Sequence, residues 1–430
     1  HLAAAGWKIE LQPAFPSPAW APLTGRKYEQ LILALPTAPT AAEAAPHGSW
    51  MVLDGLLGIG AGGALREPIR GATRAINQLR GSTAARVFAI DLPTGLDADT
   101  GEADADAVQA DYTLTIGAPK MGLLADAASN HVGRLAVLPL AELTARMSPG
   151  NGPGVAFPSA LLPLWPRRRF DLHKGACGRV GIVAGSVGFS GAAVMCAEAA
   201  LHAGAGLVTL YVSPEIHEHV AAKIAPEIMV QVFSGPDALL AKTHHVLAVG
   251  PGVGRARDGE ILDLIARSPL PTILDADALN ALAAGSGGLW AFAGPRLLTP
   301  HPGEMERLVP GSIDRPRADV AEEFVASHPV ALLLKGARTI VAERGQSLSY
   351  NTTGSPGMAT GGMGDVLTGV CAALAGQGLG LYHAARLGAW LCGRAAELAM
   401  LGGESEESLS ATHVIGHLGG AFCALREGGS

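Results

Sequence analysis

The sequence predicts an α/β protein of two domains, each built on a mainly parallel sheet covered on both faces. Three observations carry that prediction. Short apolar runs of strand length alternate with helical stretches along the chain, the pattern of strands buried on both faces. Hydrophobic residues make up 48% of the 430 and charged residues only 16%, enough apolar material for two cores and too little charge for disorder. A Pro/Gly-rich segment, Met147–Pro158, interrupts the alternation and reads as an interdomain linker. The expected division is 1–146, a linker over 147–159, and 160–430.

In the first part, Leu2–Gln12 reads as a helix end running into a strand, and Gln12–Pro22 and Leu35–Gly48 as Pro/Ala-rich surface loops. Leu31–Leu35 and Trp50–Leu53 are expected as short buried strands, and Pro68–Arg80 as an amphipathic helix. Arg86–Ile90, Tyr112–Ile116 and Arg134–Leu138 are further strands. After the linker, strands are expected at Val180–Ala184, Leu207–Val212, Val246–Val249, Thr272–Leu274, Arg296–Leu298, Ala331–Leu334 and Thr339–Ala342. Helices fit Gly191–Ala203, Asp258–Arg267, Glu304–Leu308 and Val366–Ala375, with a long pair over His383–Leu401.

The bulk properties point to a cytoplasmic enzyme. A net charge of −7 and a pI near 6.1 argue against nucleic acid as the main partner. The cysteines, Cys177, Cys196, Cys371, Cys392 and Cys423, are scattered without a Cys-x-x-Cys pair, which fits reduced thiols and gives no zinc signature. No apolar stretch is long enough to span a bilayer, and no signal peptide is visible.

The most informative segment is Gly354–Gly369. Gly361, Gly362 and Gly364 allow a turn whose backbone N–H groups crowd toward an anion, and the helix after it aims its positive end at the same place. Asp365 stands at the junction, where it can take a proton from a hydroxyl that attacks a phosphoryl group. A plain helix cap needs one glycine or none, whereas this stretch also holds Gly354, Gly357 and Gly369. It is not a P-loop, because no Lys-Ser or Lys-Thr follows.

Other chemical residues fall at strand ends, where ligands bind in open parallel sheets. They are Gly185-Ser186, Gly250-Pro251-Gly252-Val253-Gly254, Asp275-Ala276-Asp277, Thr299–Glu304 and Lys335-Gly336, with Gly191-Ala192 opening the next helix. Each alone reads equally well as a turn or a cap. Together at one sheet edge they would line a cleft.

With His173-Lys174-Gly175 and the glycine loop, these segments in this order resemble the ribokinase-like, ADP-dependent NAD(P)H-hydrate dehydratases over residues 170–430. Residues 50–140 resemble the NAD(P)H-hydrate epimerase domain often fused ahead of them. There the match is Asp54–Gly58, Asp91-Leu92-Pro93-Thr94-Gly95-Leu96-Asp97 and Gly117-Ala118-Pro119-Lys120. The resemblance implies a Rossmann-like three-layer first domain and a ribokinase-like second one, joined as a bifunctional repair enzyme.

Its implied activity is ADP-dependent dehydration of the (6S) hydrate of NADH or NADPH, with epimerisation of the R and S hydrates by the front domain. Asp365 is the implied base, with Ala192, Gly252, His301 and Asp365 against the hydrated dinucleotide. ADP is placed around Lys335, Gly336, Ala337, Arg338, Thr339, Gly361, Gly362 and Gly364, with Mg²⁺ bridging its phosphates. In the front domain Asp91 is the implied acid/base and substrate contact, Asp54 and Thr94 hold K⁺, and the loop Gly58, Ile59, Gly60, Ala61, Gly62, Gly63 and Ala64 takes the substrate's phosphates. A homo-oligomer is also implied.

Two departures stand out. No Gly-Asn-Asn-Gly-Gly-Asp-Gly-type loop precedes these motifs, and Thr94 replaces the family's usual Ser. The expectation is therefore an epimerase domain lacking its N-terminal part, its activity open, ahead of a complete dehydratase domain. The alternative readings are a kinase of the same fold acting on a vitamin precursor or sugar, and a front half that only binds or oligomerises.

Overall fold

Parallel strands require crossover connections, and the helices that make those crossovers shape both sheets of this protein. The computed structural model describes residues 2, 5, 7–16, 20–34, 50–83, 85–140, 153–165, 167–285 and 290–428. The chain divides into two units, His1–Arg146 and Met147–Ser430.

The first unit carries β1 (Met51–Asp54), β2 (Arg86–Ile90), β3 (Tyr112–Ile116) and β4 (Arg134–Leu138), adjacent in that order and all parallel. Burial alternates along β2 and β3, as the two-residue repeat of a strand requires. Val87, Ala89, Val108 and Ala110 form the buried face, with Val52 and Ile76 packed against it. Ile76 belongs to the helix Ile69–Ser82, which matches the amphipathic stretch expected there. Because the strands are parallel, the residues that follow β1, β2 and β3 emerge at one edge.

The run expected as a strand at Leu31–Leu35 instead ends the helix Pro22–Ala34, and Leu35 lies outside the described residues. A short apolar run does not distinguish strand from helix, and here Lys27–Gln30 continue a helix without a breaker. Trp7–Gln12 takes no regular structure, and Leu35–Gly48 falls outside the described residues.

The second unit holds β5 (Gly154–Val155), β6 (Arg179–Val183), β7 (Leu207–Val212), β8 (Met229–Val232), β9 (Val246–Val249), β10 (Thr272–Leu274), β11 (Arg296–Leu298), β12 (Ala331–Leu334), β13 (Ile340–Glu343) and β14 (Ser349–Tyr350). They lie in the order β5-β14-β13-β12-β11-β10-β9-β6-β7-β8. From β12 to β8 every pairing is parallel, whereas β12–β13 and β13–β14 are antiparallel. β13 matches the strand expected at Thr339–Ala342, while β14 is absent from the sequence expectation. The central strands are apolar throughout because both faces are covered. Leu247, Ile273, Leu297 and Leu332 are at most 1% exposed, each contributing about 1.5–3 kcal/mol of burial free energy.

The stretch read as a linker behaves differently. Residues 147–152 lie outside the described residues, but Gly154–Val155 pairs with Ser349–Tyr350, and Pro158–Leu161 forms a helical turn. The expected helix pair over His383–Leu401 is one helix, Leu381–Leu401. Gly388 within it marks a close approach and not a break: a Cβ there would lie 2.8 Å from Cys371 Sγ on another helix. Helices at Asp277–Ala284, Arg317–Ser327 and Ala411–Glu427 add to those expected. No described helix is long and apolar enough to cross a membrane.

Chain order sets the cleft. After β6 the chain moves out through β7 and β8, then returns to place β9 on the other side of β6. The loops after β6 and β9 therefore diverge at a switch point, where open sheets of this kind bind ligands. Behind them the helix Met363–Gly376 is buried from Val366 onward and crosses the helix Ser190–His202 closely. A Cβ on Gly369 would lie 2.0 Å from the Cys196 carbonyl oxygen, so only glycine permits this approach. Gly369→Ala should destabilise the second unit by roughly 1–3 kcal/mol through overpacking. Urea unfolding checks this, and an unchanged midpoint would contradict the close crossing.

Candidate active sites

The glycine loop of the second unit ends in a turn that only glycine adopts readily: Gly362, at φ 90°, caps the helix Met363–Gly376. Gly361, Gly362 and Gly364 surround this helix start, whose first N–H groups have no acceptor within the helix. Asp365 follows in the first turn. Its carboxylate makes no hydrogen bond or ion pair among the described residues.

The groups around Asp365 come from distant loops. Asp275, after β10, is buried and accepts hydrogen bonds from Lys335 Nζ at 2.8 Å and Thr368 Oγ1 at 2.8 Å. Burial would raise its carboxyl, but Lys335, Thr368 and Thr299 together hold it below the ordinary carboxylate value. Lys335, just past the end of β12, is desolvated, yet Asp275, Glu304 and Asp365 raise its ammonium above the usual value. Its Nζ also lies 3.6 Å from Glu304. Asp365 goes the other way. Burial pushes it up to about 7, Asp275 and Glu304 add to the push, and Lys335 opposes it. The result is one unpaired carboxylate near neutrality beside a fixed network.

The remaining expected residues group around this point. Gly364 faces the ion pair: a Cβ there would sit 3.3 Å from Lys335 Nζ and 3.4 Å from Asp275 Oδ2. At the switch point the Gly185 N–H donates to Pro251 O at 2.8 Å, and Ser186 Oγ to Gly252 O at 2.8 Å. A Cβ on Gly252 would meet Ala192 Cβ at 3.1 Å and Phe189 Cβ at 2.8 Å, so Ala192 and Gly252 belong to one surface. His301 caps the helix Pro302–Leu308: its Nδ1 accepts from Gly303 N at 3.0 Å, while its backbone N–H donates to Glu304 Oε2 at 2.8 Å. Lys335–Thr339 form the turn between β12 and β13. There Arg317 Nη1 donates to Lys335 O at 3.2 Å, Thr339 Oγ1 donates to Gly336 O at 3.1 Å, and burial pushes the inward-lying Arg338 down to about 10.

In the first unit, Asp54 at the end of β1 is 1% exposed. Its Oδ1 accepts from Thr94 Oγ1 at 2.8 Å and Leu56 N at 3.2 Å, and its Oδ2 from Thr94 N at 2.8 Å. No described basic group pairs with it, and burial raises its carboxyl despite those bonds. Gly58 and Ala61–Ala64 line a cavity of about 610 Å³ with Thr94, Gly95 and Arg66; Ile59 and Gly60 complete the loop. Asp91 follows β2 with a φ of 74°, a strained value for a residue with a Cβ. It does not line that cavity. Lys120 pairs with it instead. In the sequence Lys120 only closes the Gly117-Ala118-Pro119-Lys120 motif and carries no expected role.

A family model described as NAD(P)H-hydrate dehydratase matches residues 180–415, and one described as YjeF-related protein N-terminus matches residues 1–122. The chain is 39% identical to the bifunctional NAD(P)H-hydrate repair enzyme of Moorella thermoacetica, over 81% of this chain and 68% of that protein. It belongs to the bifunctional NAD(P)H-hydrate repair enzyme family. The corresponding protein of Coxiella burnetii is 36% identical, over 86% of this chain and 75% of that one. Among solved structures, an ADP/ATP-dependent NAD(P)H-hydrate dehydratase from Bacillus subtilis, co-crystallised with ATP and Mg²⁺, superposes with a TM-score of 0.56. It is 27% identical and covers 63% of this chain and 98% of its own.

The raised pKa of Asp365 bears on stability. The unfolded chain ionises this group near 3.8, the folded one near 7, so its contribution is fully present below the lower value and lost as pH rises through the higher one. The melting-temperature gain of Asp365→Asn over the native protein should therefore grow between about pH 4 and about pH 8. A gain independent of pH would contradict the assignment.

Proposed function

We propose that residues 160–430 dehydrate the (6S) hydrate of NADH or NADPH with ADP as phosphoryl donor, releasing AMP and phosphate. Residues 1–146 interconvert the R and S hydrates. The division of the chain at Arg146 and Met147 supports this assignment of domains. The observation that carries it is Asp365: an unpartnered carboxylate, near neutrality, at a helix N-terminus that follows a glycine turn.

Hydration leaves a hydroxyl on the carbon beside the ring nitrogen, and hydroxide is a poor leaving group. Asp365 takes the hydroxyl proton as its oxygen attacks the terminal phosphorus of ADP. The new O–P bond forms, the bond to the AMP oxygen breaks, and AMP departs. The ring nitrogen lone pair then expels phosphate, and loss of a proton from the neighbouring ring carbon restores the dihydronicotinamide. The N–H groups of Gly361, Gly362 and Gly364 receive the phosphates, the Lys335–Thr339 turn flanks the nucleotide, and Ala192, Gly252 and His301 take the hydrated dinucleotide.

The donor set fits a Mg²⁺ carried mainly by phosphates. Among the described residues no three His, Cys, Asp or Glu gather to hold a metal, and Asp365 is the carboxylate left unpaired in this cluster. When bound, Mg²⁺ neutralises charge on the transferring phosphates. In the front domain, a buried Asp54 carboxylate without a described basic partner, joined to the Thr94 hydroxyl, fits K⁺, which would neutralise it beside the Gly58–Ala64 loop. A cytoplasmic homo-oligomer remains the expected setting.

The test is to mix the protein with hydrated NADH, ADP and Mg²⁺. Recovery of reduced-nicotinamide absorbance with release of inorganic phosphate is the expected outcome; a stable phosphorylated product would instead make it a kinase. Asp365→Asn should lower dehydration at least a hundredfold, on the order of a lost general base, while ADP affinity stays nearly intact. Turnover within about tenfold of native would remove Asp365 from that role.

A further inference from the structure

The front domain's Asp91 is held in an asymmetric way. All its side-chain hydrogen bonds converge on one oxygen: Oδ1 accepts from Ile116 N at 3.0 Å, from Thr115 Oγ1 at 3.4 Å, and from Lys120 Nζ. Oδ2 has no described partner, and the side chain is 18% exposed. Lys120 is itself fixed, donating to Thr115 Oγ1 at 3.0 Å and to Ile116 O at 3.2 Å. The loop Gly117–Pro119 brings it back over the end of β3 to reach the strained turn after β2. A backbone held in a left-handed conformation, with one carboxylate oxygen clamped and the other open, is an arrangement that presents a single reactive atom.

We infer that Lys120 is a positioning residue for epimerisation: by clamping Asp91 Oδ1 it aims Oδ2 at the substrate as a base. The inference rests on the proposed epimerase activity of the front domain. In that reaction the C–O bond beside the ring nitrogen breaks, the leaving hydroxyl departs as water after taking a proton from solvent, and the nitrogen lone pair forms a C=N bond. Water then adds to the opposite face, the C=N pair returns to nitrogen, and the added water gives its proton to Asp91 Oδ2. Release of that proton to solvent restores the starting count. Such a base must be ionised at neutral pH. Burial pushes the Asp91 carboxyl up, but the Lys120 hydrogen bond, the Ile116 N–H, the Lys120 charge and the Thr115 hydroxyl outweigh it and hold the carboxyl below its ordinary value. Lys120 is the charged side chain among the leading influences on it.

The experiment follows consumption of the R hydrate of NADH at saturating ADP and Mg²⁺, with uncatalysed epimerisation subtracted, across a pH series. Dehydration of the S hydrate by the same polypeptide serves as the internal control and should be native in every variant. Lys120→Met should lower kcat/KM for epimerisation about tenfold or more and move its acid limb to higher pH, because the Ile116 N–H and the Thr115 hydroxyl alone offset less of the burial of Asp91. Lys120→Gln, which keeps a donor without the charge, should move the limb the same way and carries the test if the methionine variant does not fold. Lys120→Arg should restore the limb. Native epimerisation in Lys120→Met overturns the inference, and so does a loss that is uniform across pH and not rescued by arginine. If the native protein itself consumes the R hydrate no faster than the uncatalysed rate, the epimerase reading fails and takes the inference with it.

Discussion

The buried ion pair between Asp275 and Lys335 is the constraint on which the second unit's chemistry depends. A carboxylate taken wholly out of water is costly unless paired, and Asp275 is satisfied by an ammonium and a threonine hydroxyl. That arrangement fixes one negative charge beneath the glycine turn. The next carboxylate, Asp365, is itself largely buried and meets a site already carrying Asp275 and Glu304, so burial first and those charges second retain its proton to near neutrality. Removing Lys335 would leave Asp275 buried and uncompensated; removing Asp275 would free Lys335 and relieve Asp365. Neither change leaves Asp365 as it is. The proposed base is tuned by neighbours that need not touch the substrate.

The two units use the same residue type in opposite ways. Asp365 stands without partners and is raised, whereas Asp91 is clamped on one oxygen and lowered. The difference suits the work proposed for each. A base with a pKa near the working pH combines its ionised form with a strong pull on the proton, whereas Asp91 stays ionised across the working range at the cost of some basicity. Both residues stand beyond the C-terminal ends of parallel strands or at a helix start facing that edge, the positions where open sheets leave backbone groups unpaired and side chains free to meet a ligand.

Much of this is legible in the chain, for definable reasons. Strands such as Val246–Val249 and Thr272–Leu274 lie in the sheet interior, so burial on both faces writes them as unbroken apolar runs. Met229–Val232 escapes a sequence reading because it is an edge strand whose residues are largely exposed, and Gly154–Val155 because its short pairing sits in a stretch that reads as linker. Leu31–Leu35 misleads because its run is too short to reveal its period. Asp365 is visible from its glycines. Asp275, Glu304 and Lys335 are visible as residues of one cleft, but how they pair is not: the Asp275–Thr368 hydrogen bond, for instance, joins residues 93 apart and forms only through the fold. Lys120 is visible as part of a motif, but nothing in sequence pairs it with Asp91.

Burial and the Asp275–Glu304–Lys335 cluster thus set Asp365 near neutrality, the property on which its proposed role as the base for dehydration depends. The pH dependence of kcat/KM for dehydration of the S hydrate at saturating ADP tests this most directly. An acid limb at about 7 is expected, with activity rising as Asp365 ionises and the limb absent from whatever turnover Asp365→Asn retains. A limb at roughly 4, the ordinary carboxylate range, or a rate unchanged down to that pH, would contradict it.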